Sequence, residues 1–228
     1  MRNYFTFDGV SSETYSTYIA TSNMFDAPAE DVESIVIPGR NGAYHFSNNR
    51  FEAFTATLNV YVKDITHLDD LRNFLMSRKK PCVYMESLRG NEYRMARFKS
   101  AFVVGTSDRK GATLQLTFEC QPERFLLSGE TTVQFTSNGT ITNPTFFDAK
   151  PLIRVYGEGS FMINSYSVTV SDVYGYTDID FSTLNAYYDT ENLNSHASFG
   201  ELVLAPGENT IVLNGVDKII ITPRWNTR

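Results

Sequence analysis

Along residues 54–62, the apolar side chains Phe54, Ala56, Leu58, Val60 and Val62 alternate with Thr55, Thr57, Asn59 and Tyr61. A period of two puts one set on each face of a β-strand, so this segment reads as a strand with one buried face. The period then changes. Leu68, Leu71 and Leu75 recur at helical spacing, Thr66 with Asp69 can cap the start, and Arg78-Lys79-Lys80-Pro81 supplies cations and a breaker at the end. One amphipathic helix packed on a sheet is therefore predicted. Beyond it, Phe98, Phe102 and Val104 face Leu114, Leu116, Phe118 and Cys120 across the polar turn at residues 107–111, the pattern of a long β-hairpin. Nearer the start, Pro38-Gly39-Arg40-Asn41-Gly42 separates residues 35–37 from 44–46. Proline presets φ, the glycines accept positive φ and Asn41 tolerates it, so a shaped β-turn is expected with Arg40 at its tip.

From about residue 129 the helical period disappears. Residues 128–145 are polar and carry the breakers Asn138-Gly139 and Asn143-Pro144, which places a domain boundary between 128 and 129. After it, apolar runs at 152–156 and 161–163 flank Gly157-Glu158-Gly159-Ser160, and runs at 210–213 and 216–221 flank Asn214-Gly215. Both read as hairpins. About a hundred residues of such strands is the size of a β-sandwich. The predicted fold is mainly β, with a β-rich α+β domain holding one helix over residues 1–128 and an all-β domain over 129–228.

Composition agrees with strands: of 228 residues, 13 are Tyr and 17 Phe, but only one is Trp. With 42% hydrophobic and 20% charged residues, the chain can bury a core and lacks the composition of a disordered protein. A formal charge of −6 and a pI near 5.1 oppose a nucleic-acid-binding role for the whole protein. No apolar run approaches the ~20 residues of a membrane-spanning helix. The first eight residues lack the apolar stretch and small-residue cleavage site of a secretory signal. Synthesis in a cytosol is expected, with Cys82 and Cys120 as reduced, small hydrophobic residues.

The charge is unevenly placed, since residues 1–128 hold 15 Lys/Arg and 15 Asp/Glu whereas residues 129–228 hold 5 and 11. Residues 78–110 alone carry nine cations (Arg78, Lys79, Lys80, Arg89, Arg94, Arg97, Lys99, Arg109 and Lys110) against three carboxylates. Such a stretch suits self-association through complementary fields or the steering of an acidic partner, and it equally suits a solvated face. Arg94 and Arg97 are its candidate interface residues. Arg40 is the third, because a guanidinium with five fixed donors fits a neighbouring subunit's carboxylate, the alternative being that it only solvates the turn.

Candidate chemistry is weak everywhere else. Gly157-Glu158-Gly159 lacks the third glycine and the following helix of a dinucleotide loop. Asp178 and Asp180 have the spacing of calcium-loop ligands, but Thr183 stands where that loop needs glycine, so they read as solvated loop carboxylates. His45, His67 and His196 have no partner at metal-ligand spacing, and no serine sits in a Gly-x-Ser-x-Gly elbow. Glu158 and Asp172 are the pair a glycosidase reading would use, without a separation to support it. Asn138-Gly139-Thr140 matches a glycosylation acceptor and reads as a turn. No catalytic residue, cofactor or metal site is expected, and the protein is read as not an enzyme.

Taken in order, several motifs resemble one family. Phe5-Thr6-Phe7-Asp8-Gly9-Val10-Ser11-Ser12, Ile37-Pro38-Gly39-Arg40-Asn41-Gly42 and Phe118-Glu119-Cys120-Gln121-Pro122-Glu123-Arg124-Phe125 look like the first half of the distal tail protein (Dit) of long-tailed, non-contractile bacteriophages. Asn143-Pro144, Lys150-Pro151 with the strand that follows, Pro206-Gly207-Glu208-Asn209 and Pro223-Arg224-Trp225 look like its second half. The resemblance covers essentially the whole chain. It implies an N-terminal domain that closes into a hexameric ring and a C-terminal galectin-like β-sandwich that projects outward. It also implies a place at the virion tail tip, as a hub joining the tail tube protein to tail-associated, fibre or receptor-binding proteins, with the tape measure protein as a further partner. The alternative from another class is a carbohydrate-binding β-sandwich module taking part in host adsorption. Galectins stack a sugar on one Trp beside His, Asn, Arg and Glu. Here the one Trp is Trp225 near the C-terminus, His196 is followed by Ala197, and adjacent Tyr187 and Tyr188 point to opposite faces of a strand, so no galectin-type lectin activity is expected.

Overall fold

A computed structural model describes residues 2–99 and 101–228. The chain divides into two compact units, Met1–Arg124 with Arg228, and Phe125–Thr227. In the first unit an antiparallel sheet runs in the order Val10–Ser11, Phe5–Phe7, Cys82–Glu86, Glu92–Phe98, Ala112–Cys120, Phe54–Val62 and Thr17–Ser22. Its centre follows the alternation of the sequence. Phe54, Ala56, Leu58, Val60 and Val62 are all buried, and so are Ala112, Leu114, Leu116, Phe118 and Cys120 opposite them, with Leu116 across from Leu58 and Phe118 across from Ala56. Two period-two strands in matched register put every apolar side chain on one face.

The helix Leu68–Ser77 covers that face with Leu71 and Leu75, both fully buried. Its start differs from the expected cap. A single 3-10 turn, Ile65–His67, leads into it, and the carboxylate of Asp64 accepts hydrogen bonds from the backbone N–H and hydroxyl of Thr66. Thr66 is thus the donor and Asp64 the cap, because the 3-10 turn shifts the first free N–H groups toward the N-terminus. The predicted long hairpin is present but interrupted: Glu92–Phe98 and Val104–Ser107 both pair with Ala112–Cys120, Phe118 opposite Phe98 and Leu114 opposite Val104. A register irregularity between Thr113 and Leu114 accompanies the outward turn of Val104, which is exposed although Leu114 is buried.

One element of this unit stands outside the sheet. Among the described residues, the strands Glu30–Val36 and Ala43–Phe51 pair with each other alone, forming a two-stranded arm joined by the Pro38–Gly42 turn. Gly39 and Gly42 have φ of 84° and 83°, the left-handed conformation that motivated the turn reading.

The second unit is a β-sandwich. One sheet runs Val133–Phe135, Lys218–Thr222, Leu152–Tyr156, Thr177–Asp180, Asn185–Tyr188 and Glu191–Asn192; the other runs Gly139–Asn143, Gly207–Asn214, Gly159–Ile163, Tyr166–Val170 and Ala197–Ser198. Ile153, Val155, Ile179, Ile219 and Ile221 from the first sheet share one core with Phe161, Ile163, Val168, Val170 and Ile211 from the second. The two expected hairpins are not hairpins. Leu152–Tyr156 and Gly159–Ile163 lie in different sheets, as do Gly207–Asn214 and Lys218–Thr222, so each glycine turn carries the chain across the core. The two corners also meet, through a bridge between Ser160 and Gly215. Gly159, at φ 141°, would place a Cβ 2.8 Å from the Cα of Gly215 and 2.7 Å from the carbonyl oxygen of Asn214. Glycine is needed there for close backbone approach, a role whose local signature matches that of a tight turn.

Two asparagines fasten this unit. Asn143 donates to the carbonyls of Phe147 and Leu204, both at 2.9 Å, and accepts from the N–H and hydroxyl of Thr145. Asn209 donates to the carbonyls of Ala205 and Gly207 and accepts from the Ala205 N–H and the Asn164 amide. Both are buried with donors and acceptors engaged, which is how a polar side chain avoids its desolvation cost.

Candidate assembly surfaces

Pairing in the arm fixes which side chains share a face. Glu33 lies opposite Phe46 and Ile35 opposite Tyr44, so these four project together, while Val32, Ser34, Val36 and His45 occupy the reverse face. Ile35 is 46% exposed, Tyr44 50% and Phe46 52%. Three large apolar side chains on one face of an otherwise solvated ribbon form a surface that lacks a cover. At the tip, Arg40 is exposed, and its N–H closes the turn on the carbonyl of Ile37.

The other two candidate residues separate. They are three positions apart on Glu92–Phe98, hence on opposite faces. Arg97 is at the surface, where its guanidinium donates two hydrogen bonds to Glu119, which also receives Lys99 at 2.7 Å. These hydrogen bonds hold the Glu119 carboxyl below the usual carboxylate range, Lys99 contributing most. Arg94 points inward and is 6% exposed. Its guanidinium lies 4.1 Å over the ring of Phe54, and its Nη1 and Nη2 have no hydrogen-bond partner among the described residues. Burial lowers its pKa from the arginine value. Nearby strand Cys82–Glu86 adds Tyr84, whose hydroxyl donates to Glu86 at 2.6 Å, and Ser22 donates to the other oxygen of that carboxylate. Burial first, and then Glu86, push the Tyr84 phenol well above its normal range. Arg94 therefore belongs to an interior polar cluster, and the basic stretch 78–110 does not form one continuous face. The signal was available: Arg94 has the parity of Ala96 and Phe98 in the alternation.

Asp178 and Asp180 are not loop carboxylates. They lie on strand Thr177–Asp180, on either side of core residue Ile179 and on the sheet face opposite to it, where Asp178 is itself buried. Arg154 meets Asp178 with two 2.7 Å hydrogen bonds and stacks 3.9 Å over Tyr176, and Arg224 meets Asp180 at 2.8 Å. The pairs occupy the carboxylates as structural ion pairs. No group of three metal-ligating side chains occurs among the described residues. Glu158 accepts from the N–H of Val173, and Asp172 lies 3.4 Å from His196. Trp225 is 6% exposed within the sandwich core, so its ring offers no face to a sugar. Tyr187 lies opposite Asp178, whereas Tyr188 packs against Tyr176 with ring centroids 4.8 Å apart.

No protein-family model matches the sequence, and no curated protein matches it. Solved structures do. The crystal structure of the Dit protein of phage SPP1, described as a paradigm of the hub adsorption apparatus in phages infecting Gram-positive bacteria, aligns with a TM-score of 0.74. The alignment covers 97% of this chain and 98% of that one at 15% identity. The chain has the Dit fold. A second match, to the phage P2 baseplate in its activated conformation with Ca, has a TM-score of 0.54, 9% identity and 97% coverage of both chains. Among the described residues the fold is mainly β with one α-helix, as the sequence predicts. Among the described residues, no helix is long and apolar enough to cross a membrane.

Proposed function

We propose that this chain is a structural hub protein of a phage or prophage tail tip. Residues 1–128 close into a hexameric ring, and residues 129–228, a galectin-like sandwich, project from it. The ring joins the tail tube protein to tail-associated, fibre or receptor-binding proteins and abuts the tape measure protein. The observation that carries this reading is the end-to-end match to a hub adsorption protein, 97% of one chain on 98% of the other. The arm supports it, because a face with Ile35, Tyr44 and Phe46 exposed gains by being covered in an assembly. The role requires no catalysis, and the ion pairs of Arg154 with Asp178 and Arg224 with Asp180 leave those carboxylates to structure.

Electron microscopy of the purified protein, with light scattering over a concentration series, tests this directly. A ring with a central channel and the mass of six copies is expected, either alone or on mixing with the tail proteins encoded beside it. A monomer under all of these conditions overturns the reading. Titration with galactosides, followed by tryptophan fluorescence and heat, should show no saturable binding.

A further inference from the structure

Helix Leu68–Ser77 ends beside strand Glu92–Phe98, and the seam between them is a groove of about 360 Å³ lined by Leu75, Met76, Arg78, Lys79, Arg97, Phe98 and Lys99. Its charges do not balance. Arg78 is paired with Asp8 at 2.7 Å, and Arg97 and Lys99 share the single carboxylate of Glu119. Lys79 has no carboxylate partner among the described residues. Four cations thus face two carboxylates, leaving two positive charges in excess. The groove is mainly polar, with Met76, 53% exposed beside the buried Leu75, as its exposed apolar side chain.

The arm has the complementary character. Residues 30–51 carry Glu30, Asp31 and Glu33 against Arg40 at the tip and Arg50, which pairs with Asp31. One negative charge is in excess, and Glu33 shares its face with Ile35, Tyr44 and Phe46. An acidic side chain on the arm matches a groove of cations in charge, with Met76 there to meet the arm's exposed apolar side chains. Both surfaces are exposed in one chain, so the arm of that chain does not fill its own groove.

We infer that the Glu33, Ile35, Tyr44 and Phe46 face of one copy docks in the Met76, Lys79, Arg97 and Lys99 groove of the next, with Glu33 set against Lys79. This inference rests on the ring reading above and gives it a contact. Because the two patches differ, the interface is heterologous, the head-to-tail type that closes into rings when the rotation permits.

Two charge reversals, Glu33→Lys and Lys79→Glu, test it on the full-length protein. Both side chains are at the surface, so circular dichroism and melting should match the wild type. Each variant alone sets like charges together and should raise the concentration needed for assembly about tenfold or more. Mixed in equal amounts, the two variants pair the reversed arm of one with the reversed groove of the other, and the native Glu33 arm with the native Lys79 groove. An alternating ring of six has every contact matched, so the mixture should assemble at near wild-type concentration. If the wild type forms rings and both variants do so unchanged, or if both fail and mixing restores nothing, the docking is overturned while the ring stands. A wild type that never assembles overturns the ring reading itself.

Discussion

The two units solve the problem of burying a β-sheet in different ways. The first packs aromatic rings around Phe118, with Phe5, Phe7, Tyr84 and Phe98 at centroid distances of 4.8–5.7 Å, and places Arg94, Glu86, Tyr84 and Cys120 inside with them. The sandwich fills its core mainly with aliphatic residues and keeps its arginine–carboxylate pairs on the outward face of one sheet. The surfaces differ too. Six apolar residues between Val32 and Phe46 are exposed in the first unit, along a ribbon whose strands pair with each other in a sheet of their own. A second sheet completes the sandwich, whereas the arm has apolar surface and no such partner. That difference is what supports the proposed ring contact through the arm, although Phe146 and Tyr174 are also exposed on the sandwich.

The largest expected effect is on the aromatic core. Phe118 is fully buried and touches four other rings, so Phe118→Ala should cost about 3–5 kcal/mol through lost transfer energy and the cavity left behind. Denaturant unfolding followed by thiol labelling of Cys120, buried in the first unit, and by Trp225 fluorescence separately should show the first unit melting early while the Trp225 transition stays in place. If both transitions shift equally, the two cores are not independent and the comparison fails.

Much of this contrast can be read from the chain. The buried face of Phe54–Val62, its partner Ala112–Cys120 and the helix all follow from periodicity, because a residue's parity on a paired strand decides its face. What escaped was non-local. Asn214-Gly215 and Gly157-Glu158-Gly159 have hairpin chemistry, but local chemistry does not say whether the next strand returns beside the last or crosses to the facing sheet. Asp178 and Asp180 looked solvated because Arg154 and Arg224 are distant in sequence. Counting charges groups Arg94 with Arg97, whereas counting by parity separates them. The arm's turn was legible, but its lack of a partner sheet was not.

A mutation at a sandwich corner sharpens the contrast from the other side. Gly159→Ala forces a side chain into positive φ and against backbone atoms that cannot rotate away, at a cost of about 1–3 kcal/mol. Here the Trp225 transition should move and the exposure of the Cys120 thiol should not. An unchanged Trp225 transition would mean that the corner opens without loss of packing.

The most buried shifted groups of the two units act at opposite ends of the pH scale. Burial acts to raise the Asp180 pKa, but hydrogen bonds from Arg224 and Ser182 outweigh it and hold it below the usual value. A depressed carboxylate stabilises fully above its unfolded pKa of about 3.9 and loses that contribution as pH falls through the folded value. In the first unit, burial pushes the Cys120 thiol up to about 12. A raised pKa stabilises fully below the unfolded value of about 8.5, and the contribution is lost as pH rises toward the folded one, about 2 kcal/mol by pH 10. Tyr84 works in the same direction above pH ~10. Acid titration should therefore weaken the sandwich and alkali the first unit, with Asp180→Asn flattening the acid limb and Cys120→Ala the alkaline one. The same pH dependence for both units, unchanged by either substitution, would remove the distinction.

The smallest effect separates packing from assembly within a single strand. Arg97 is half exposed, and its partner Glu119 keeps Lys99 when the guanidinium is removed. Exposed pairs of this kind contribute about 0–1 kcal/mol, so Arg97→Ala should change the unfolding free energy of the isolated chain by no more than about 0.5 kcal/mol. Three residues away, Arg94 is buried over Phe54, and shortening it to Ala should cost more because its stem and guanidinium fill the interior. A chemical denaturation series on both variants checks the difference. Equal losses would place Arg97 in the fold. A silent Arg97→Ala in the monomer that still weakens assembly would place that cation at the groove between copies.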